Sequence, residues 1–326
     1  MNFQLSEDQQ ALQQGIRSFC QGRVTIDHLR ALEGPGFEQA LWGELAEMGI
    51  FGLRLPEEEG GVGLRTADAV LVFEELGRAL VPGPLVFSHL AAGLVDGAAS
   101  GETVVGGLDL VCAAPTPYVV EHLEALDALL LLREDGVYRV DPRSLDARPV
   151  AVPLDPLTPV HHVPELPAGE RIGDAEVARD LRLAGTALVS GLLLGIAEAT
   201  QEMAVDYAKK REQFGRVIGS FQAIKHILAD MFVRQEVARA AAYAAGATLD
   251  FPEVGDVERA VSGAKINAGE AAMKNSRACI QVHGGMGYTW EIPAHYYLKR
   301  TWVLESSFGT LEEHCEKVAA QIETAA

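Results

Sequence analysis

Arg211-Glu-Gln-Phe-Gly215, Gly219-Ser-Phe-Gln222 and, about sixty residues on, Gln281-Val-His-Gly-Gly-Met-Gly-Tyr288 are the stretches that decide how this chain is read. They pair an always-charged, fork-shaped donor with side-chain amides and a glycine-rich turn, groups suited to a diphosphate and an adenosine. All three interrupt long helical patterns. Upstream, Ala184, Leu188, Gly191, Gly195 and Ala199 recur at helical spacing, with glycines that let a second helix come close. Downstream, Ile224, Leu228 and Met231 lead into an alanine-rich run, Ala238 to Ala247, and Asp250-Phe-Pro252-Glu-Val-Gly255 breaks it. A third helix is expected from about Val257 to Cys279. The final helices carry His295-Tyr-Tyr-Leu-Lys-Arg300 and Glu312 to Ile322, so this part predicts a four-helix bundle.

Working toward the N-terminus, residues 101–175 change texture to short β-type runs broken by prolines. Leu129–Leu132 and Val137–Val140 flank Glu134-Asp135-Gly136, a hairpin signal with Asp-Gly as the tight turn. Pro153, Pro156, Pro159, Pro164 and Pro167 suit an edge strand or connector and not a central strand. Residues 1–100 are helical in pattern. Leu5-Ser6-Glu-Asp-Gln9 carries a capping box, a helix follows to about Cys20, and a second covers Phe37 to Met48. Pro56 and three glycines then force a turn, Thr66 to Leu80 is amphipathic, and Pro82-Gly-Pro84 closes the unit. The predicted fold is mainly α with a small β domain: helical domain 1–100, β domain 101–175, helical bundle 176–326.

The 326 residues, 48% hydrophobic, suffice for a large core shared by two or three domains. No apolar stretch is expected to span a bilayer, since the run around Leu188–Ile196 contains glycine and ends in charge. The opening Met-Asn-Phe-Gln-Leu-Ser-Glu-Asp has no basic segment followed by an apolar one, so a cytoplasmic location is expected. Cys20, Cys112, Cys279 and Cys315 lack paired ligand spacing and read as reduced, buried thiols, with no metal site. A formal net charge of −19 makes nucleic acid or an anionic membrane an unsuitable partner. It also repels anionic cofactors, which must be held by a local basic cluster such as Lys209-Lys210-Arg211 with Arg216.

Arg211 can grip a diphosphate bidentately, each charge-assisted bond contributing about 1.5–3 kcal/mol. The glycine turn at Gly284-Gly285-x-Gly287 lies between helices rather than in a βαβ unit, so it is not a Rossmann fingerprint. His283, alone beside this turn, reads as a hydrogen-bonded structural residue. Taken together, the three stretches resemble the C-terminal half of the flavin-dependent acyl-CoA dehydrogenase family. Pro56-Glu-Glu-Glu-Gly60-Gly61-Val-Gly63-Leu64 followed by Phe73-Glu-Glu-Leu-Gly-Arg78 is similar to its N-terminal helical domain.

The resemblance implies α,β-dehydrogenation of an acyl-CoA thioester with FAD as cofactor and an electron-transfer protein as acceptor. It also implies that Arg211, Gln213, Phe214, Gln222, Gln281, Gly284 and Gly285 reach the ADP end of the flavin of an adjacent subunit. Two departures bear on the chain's own site. Ser307-Phe308-Gly309-Thr310 stands where the family reads Tyr-Glu-Gly-Thr, so Phe308 replaces the proton-abstracting carboxylate. The β region is shortened, and Val111-Cys112-Ala-Ala-Pro115-Thr-Pro117 keeps only a proline of the loop that ordinarily lies against the flavin ring. Counting along the family pattern to a base on a neighbouring helix lands on Asp250 from one side and Glu253 from the other. The expected protein is the smaller, non-catalytic subunit of a heteromeric acyl-CoA dehydrogenase, paired with a full-length paralogue of the kind used on steroid-like CoA esters. The alternatives are an autonomous homo-oligomeric dehydrogenase using Asp250 or Glu253, and a scaffold without flavin.

Overall fold

The computed structural model describes residues 4–111 and 116–324. Cys112 and most of the loop expected near the flavin ring, Cys112 to Pro115, therefore lie outside the described residues. Five helices come first: α1 (Glu7–Arg23), α2 (Ile26–Ala31), α3 (Gln39–Glu47), α4 (Thr66–Arg78) and α5 (Leu85–Ala91). The capping box starts α1 as expected: Ser6 Oγ accepts from the Gln9 backbone N–H at 3.2 Å, and Gln9 Oε1 from that of Ser6 at 3.1 Å. Pro82-Gly-Pro84 does not close the unit, because its backbone opens α5.

The β region follows with β1 (Val105–Asp109), β2 (Tyr118–Glu121), β3 (Ala128–Arg133), β4 (Gly136–Val140), β5 (Arg148–Pro149), β6 (Val160–Val163) and β7 (Glu170–Gly173). One sheet has the order β1-β3-β4-β7, with β1 parallel to β3, and the other has the order β2-β6-β5. The expected hairpin is β3–β4. Its register pairs Arg133 with Gly136, so the two-residue loop is Glu134-Asp135 rather than Asp-Gly. Pro149 sits on the edge strand β5, where a missing N–H costs no ladder bond.

The remainder is α6 (Ala175–Lys210), a short hairpin β8 (Glu212–Gln213) and β9 (Arg216–Val217), α7 (Gln222–Asp250), α8 (Val257–His283), α9 (Ala294–Ser306) and α10 (Leu311–Thr324). Helices α6, α7 and α8 pack on one another, α10 runs along α8, and α4 packs against α6 and α7. One hydrophobic core runs through the N-terminal helices, the strands and the bundle, and a second, smaller one gathers Ala204, Ala208, Met231, Cys279 and Ile280. Contrary to expectation, α6 is long and apolar enough to cross a membrane, but 94% of its apolar window is buried inside the fold. Cys20 and Cys279 are buried, whereas Cys315 is exposed.

The α4–α6 contact is backbone against backbone. A Cβ on Gly195 would sit 1.9 Å from the Glu74 carbonyl oxygen, and one on Gly77 2.1 Å from that of Leu192. As a result α4 is not amphipathic toward water: residues 69–77 are all buried, Glu74 and Glu75 included. Arginines from three helices face these two carboxyls and Glu198 of α6. Arg17 forks onto Glu75 at 2.6 and 2.8 Å, Arg239 approaches Glu74 at 3.7 Å, and Arg78 pairs with Glu198 at 3.1 Å. The Tyr243 hydroxyl donates to Glu74 at 2.7 Å. Burial, reinforced by Glu198, pushes the Glu74 carboxyl up to about 8.

Gly195→Ala should lower the unfolding free energy by about 3 kcal/mol in urea titrations, because a backbone, not a side-chain tip, must give way. Between about pH 5 and pH 8 the unfolded chain releases the Glu74 proton while the folded one retains it. The urea midpoint of the wild type should therefore fall as pH rises through that window, and that of Glu74→Gln should fall less.

Candidate functional site

The residues expected to hold a cofactor gather at one end of the bundle. Tyr207, near the end of α6, stacks on His283 at the end of α8, ring centroids 4.2 Å apart, and so ties the β8–β9 hairpin to the glycine turn. His283 is buried with Nδ1 2.8 Å from the Cys279 carbonyl oxygen, which makes it the expected structural residue. Gly219 lets the segment before α7 lie against α6, since a Cβ there would meet the Ala208 carbonyl oxygen at 2.9 Å.

On this frame Arg211, Gln213, Phe214, Gln222, Gln281, Gly284 and Gly285 are all exposed. The Arg211 guanidinium has no hydrogen-bond or ion-pair partner among the described residues, unlike Arg216, which stacks over the Phe221 ring at 4.1 Å. Gly284 adopts φ 60°, ψ −137°, which side-chain-bearing residues avoid, and a Cβ on either Gly284 or Gly285 would meet nothing within 4 Å. The backbone at this turn is therefore open to a ligand. Phe214 and Tyr288 beside it are 92% and 84% exposed, large aromatic surfaces that a free monomer has no reason to display. This donor set fits the diphosphate and adenosine end of FAD.

The second site is a cavity of about 490 Å³ between α5, β1, β2, α6 and α9, with Phe308 in its wall. Phe308 stacks on Phe87 with centroids 5.0 Å apart and fills the space beside Gly185. Its backbone has φ 56°, a conformation costing about 1–2 kcal/mol for an L-residue, and the surroundings hold it there. Buried Lys265 donates to the carbonyls of Leu304 (3.0 Å), Gly309 (3.1 Å) and Ser307. His314 is kept neutral by burial, its pKa pushed down to about 4. Its Nε2–H donates to the Phe308 carbonyl at 3.0 Å, and Nδ1 accepts from the Ser262 hydroxyl at 3.1 Å. The Phe308 loop is thus held by its carbonyls, with an apolar side chain in the cavity wall.

The polar groups of the cavity come from elsewhere in the chain. Arg300 Nε donates to Asp155 at 2.5 Å and Nη1 to the Val81 carbonyl at 3.2 Å. Burial raises the Asp155 carboxyl, but Arg300 outweighs it and the net shift is downward. Burial lifts Glu121 to about 7 and drops His122 to about 3. Sequence reasoning missed this group. Its one signal was Glu121-His122 closing an otherwise apolar strand.

Neither candidate base lines the cavity. Both Asp250 carboxylate oxygens accept backbone N–H bonds, from Thr66 and Ala67, each at 2.9 Å, and so cap the N-terminus of α4. Glu253 is exposed in a one-turn 3-10 segment after α7.

Residues 6–101 match the family model described as acyl-CoA dehydrogenase, N-terminal domain, and residues 182–323 that of its C-terminal domain. Acyl-CoA dehydrogenase IpdE2 of Mycobacterium tuberculosis is 33% identical over 305 residues, 90% of this chain and 91% of that protein. Among solved structures, a variant of the Tcur3481-Tcur3483 steroid ACAD superposes with TM-score 0.86 at 23% identity, covering 98% of each chain. The ChsE4-ChsE5 complex from Mycobacterium tuberculosis gives TM-score 0.84 at 24% identity, covering 99% of each chain. The chain belongs to the acyl-CoA dehydrogenase family, a family of FAD-dependent oxidoreductases acting on acyl-CoA.

As a cap of α4, Asp250 contributes to stability. Asp250→Ala should cost about 1–2 kcal/mol in urea titrations and leave kcat of the assembled enzyme unchanged. A loss of turnover with FAD still bound and stability unaffected would reverse that assignment.

Proposed function

We propose that the chain is the smaller subunit of a heteromeric acyl-CoA dehydrogenase, contributing the ADP-binding half of a shared FAD site to a full-length paralogue that holds the flavin ring and the base. One contrast carries the reading. The groups suited to another subunit's cofactor are intact and turned outward, Arg211 above all, while the chain's own base position is filled by Phe308 on a rigid loop.

Chemistry supports the division of labour. Dehydrogenation needs a carboxylate to remove the α-proton in a dry site. The flavin, when bound, supplies the acceptor for the β-hydrogen. In this chain Arg211 grips the diphosphate bidentately, the amides of Gln213, Gln222 and Gln281 orient the nucleotide, and Phe214 covers it from water. Gly284 and Gly285 admit close backbone approach. Binding an anion against a net charge of −19 makes the local cluster Lys209, Lys210, Arg211 indispensable.

The resemblance to a steroid ACAD and to the ChsE4-ChsE5 complex supports a hetero-oligomer and a steroid-like acyl-CoA substrate. The autonomous reading gains no support from the cavity, where Asp250 and Glu253 are absent. Nor does a flavin-free scaffold explain an exposed arginine without a partner among the described residues together with an open glycine turn.

Arg211→Ala in the assembled complex should lower FAD affinity by about tenfold or more, corresponding to the loss of a bidentate charge-assisted contact. FAD retained per complex after dialysis is the readout. Unchanged retention would sink the proposal.

A further inference from the structure

A smaller cavity, of about 190 Å³, lies between the segment after α3, the end of α5 and the start of α6. It shares no lining residue with the cavity beside Phe308. Phe51, Leu90, Leu94 and Leu181 give it apolar walls, and its polar side chains are those of Arg54 and His89. His89 is buried, and its Nδ1–H donates to the Ile50 carbonyl at 2.9 Å, since a carbonyl oxygen can only accept. Burial pushes the pKa of His89 down to about 4, so the ring is neutral and Nε2 keeps its lone pair. With Nδ1 turned to Ile50, Nε2 is the ring nitrogen left for the cavity, and it makes no hydrogen bond among the described residues.

Arg54 stands at the open side of the cavity. Its side chain is exposed at the rim and makes no hydrogen bond, ion pair or ring contact among the described residues. The protein around the guanidinium nevertheless lowers its pKa, burial outweighing the pull of Asp250 and Asp180. Asp250 is committed to the backbone of α4, and Asp180 forms no ion pair with Arg54 among the described residues. A cation in this setting gains from a monoanion, and its planar fork matches a carboxylate. A phosphate dianion would bring a second negative charge toward Asp250 and Asp180, with no second cation in the lining. Size narrows the rest. The cavity is below the roughly 300–1,000 Å³ of pockets for drug-sized molecules, so its ligand is only a few carbons long.

We propose that this cavity binds a short aliphatic hydroxy acid, its carboxylate gripped by Arg54 at the mouth and its hydroxyl donating to His89 Nε2 at the closed end. The carbons between the two groups lie against Phe51, Leu90, Leu94 and Leu181. Each part of such a ligand answers one feature of the cavity: a free cation, a bare acceptor and an apolar wall between them. The site stands apart from the shared-flavin reading, because none of the residues assigned to the nucleotide lines it. A chain that binds the hydroxy acid and no flavin, or flavin and no hydroxy acid, separates the two.

The test is calorimetric titration of the full chain at neutral pH with ω-hydroxyhexanoate, hexanoate, hexanol and inorganic phosphate. The hydroxy acid should bind at one site, and hexanoate about tenfold more weakly for want of the hydrogen bond to His89. Hexanol, which lacks the charge, should be weaker than the hydroxy acid by about tenfold or more. Arg54→Met should weaken the hydroxy acid by the same factor and keep the wild-type melting temperature within a few degrees, because Arg54 makes no bond inside the protein. His89 is left in place because it also secures the Ile50 carbonyl and packs on Phe73. No binding of the hydroxy acid by the folded wild type, equal or tighter binding of hexanoate or hexanol, preference for phosphate, or unaltered affinity in Arg54→Met would each overturn the proposal.

Discussion

The direct backbone contact of α4 with α6, made possible by Gly77, Gly191 and Gly195, is the constraint on which the rest of the structure depends. It draws two helices from opposite halves of the chain so close that α4 loses any face to water. Glu74 and Glu75 are consequently carried inside, where Arg239 from α7 approaches Glu74 and Arg17 from α1 pairs with Glu75, while Arg78 of α4 pairs with Glu198 of α6. A buried charge network of this kind adds little net stability, but removing one partner leaves another uncompensated. It therefore locks the mutual setting of α1, α4, α6 and α7, and Asp250 at the end of α7 completes the lock by capping α4.

Both sites hang from that frame. At one end of the bundle α6 and α8 stop and α7 begins, and these boundaries present Arg211, Gln281 and the Gly284-Gly285 backbone outward. On the other side α6 lies between the β region and α9, and the cavity with Phe308 opens where they meet. Lys265 and His314 hold the Phe308 loop by its carbonyls, so the apolar side chain is as firmly placed as a catalytic carboxylate would need to be. The helical scaffold around this loop is ordered by buried polar bonds, and Phe308 gives the cavity an apolar wall there.

What could be read from sequence follows the range of the interactions. The long helices announce themselves by the period of Ala184, Leu188, Gly191 and Gly195, and the β3–β4 hairpin by two apolar runs. The hairpin's turn lies one residue earlier than the Asp-Gly signal implies, because strand register, not local preference, sets Glu134-Asp135 as the loop. The burial of α4 was illegible for another reason: its glutamates look like a solvent face until Arg17 and Arg239 arrive from far along the chain. Asp250 is a similar case. Its neighbours Pro252 and Gly255 mark a helix end, but its bonds reach 184 and 183 residues back. The polar end of the cavity draws Glu121, Asp155 and Arg300 from three separate segments, and no spacing rule joins them.

The measurement closest to the central claim is native mass spectrometry, with flavin absorbance, of the chain purified alone and together with a full-length paralogue. The chain alone should be colourless, and in the complex FAD should be bound in number equal to the full-length subunits. FAD bound to this chain by itself, one per subunit and reducible by an acyl-CoA, would contradict it.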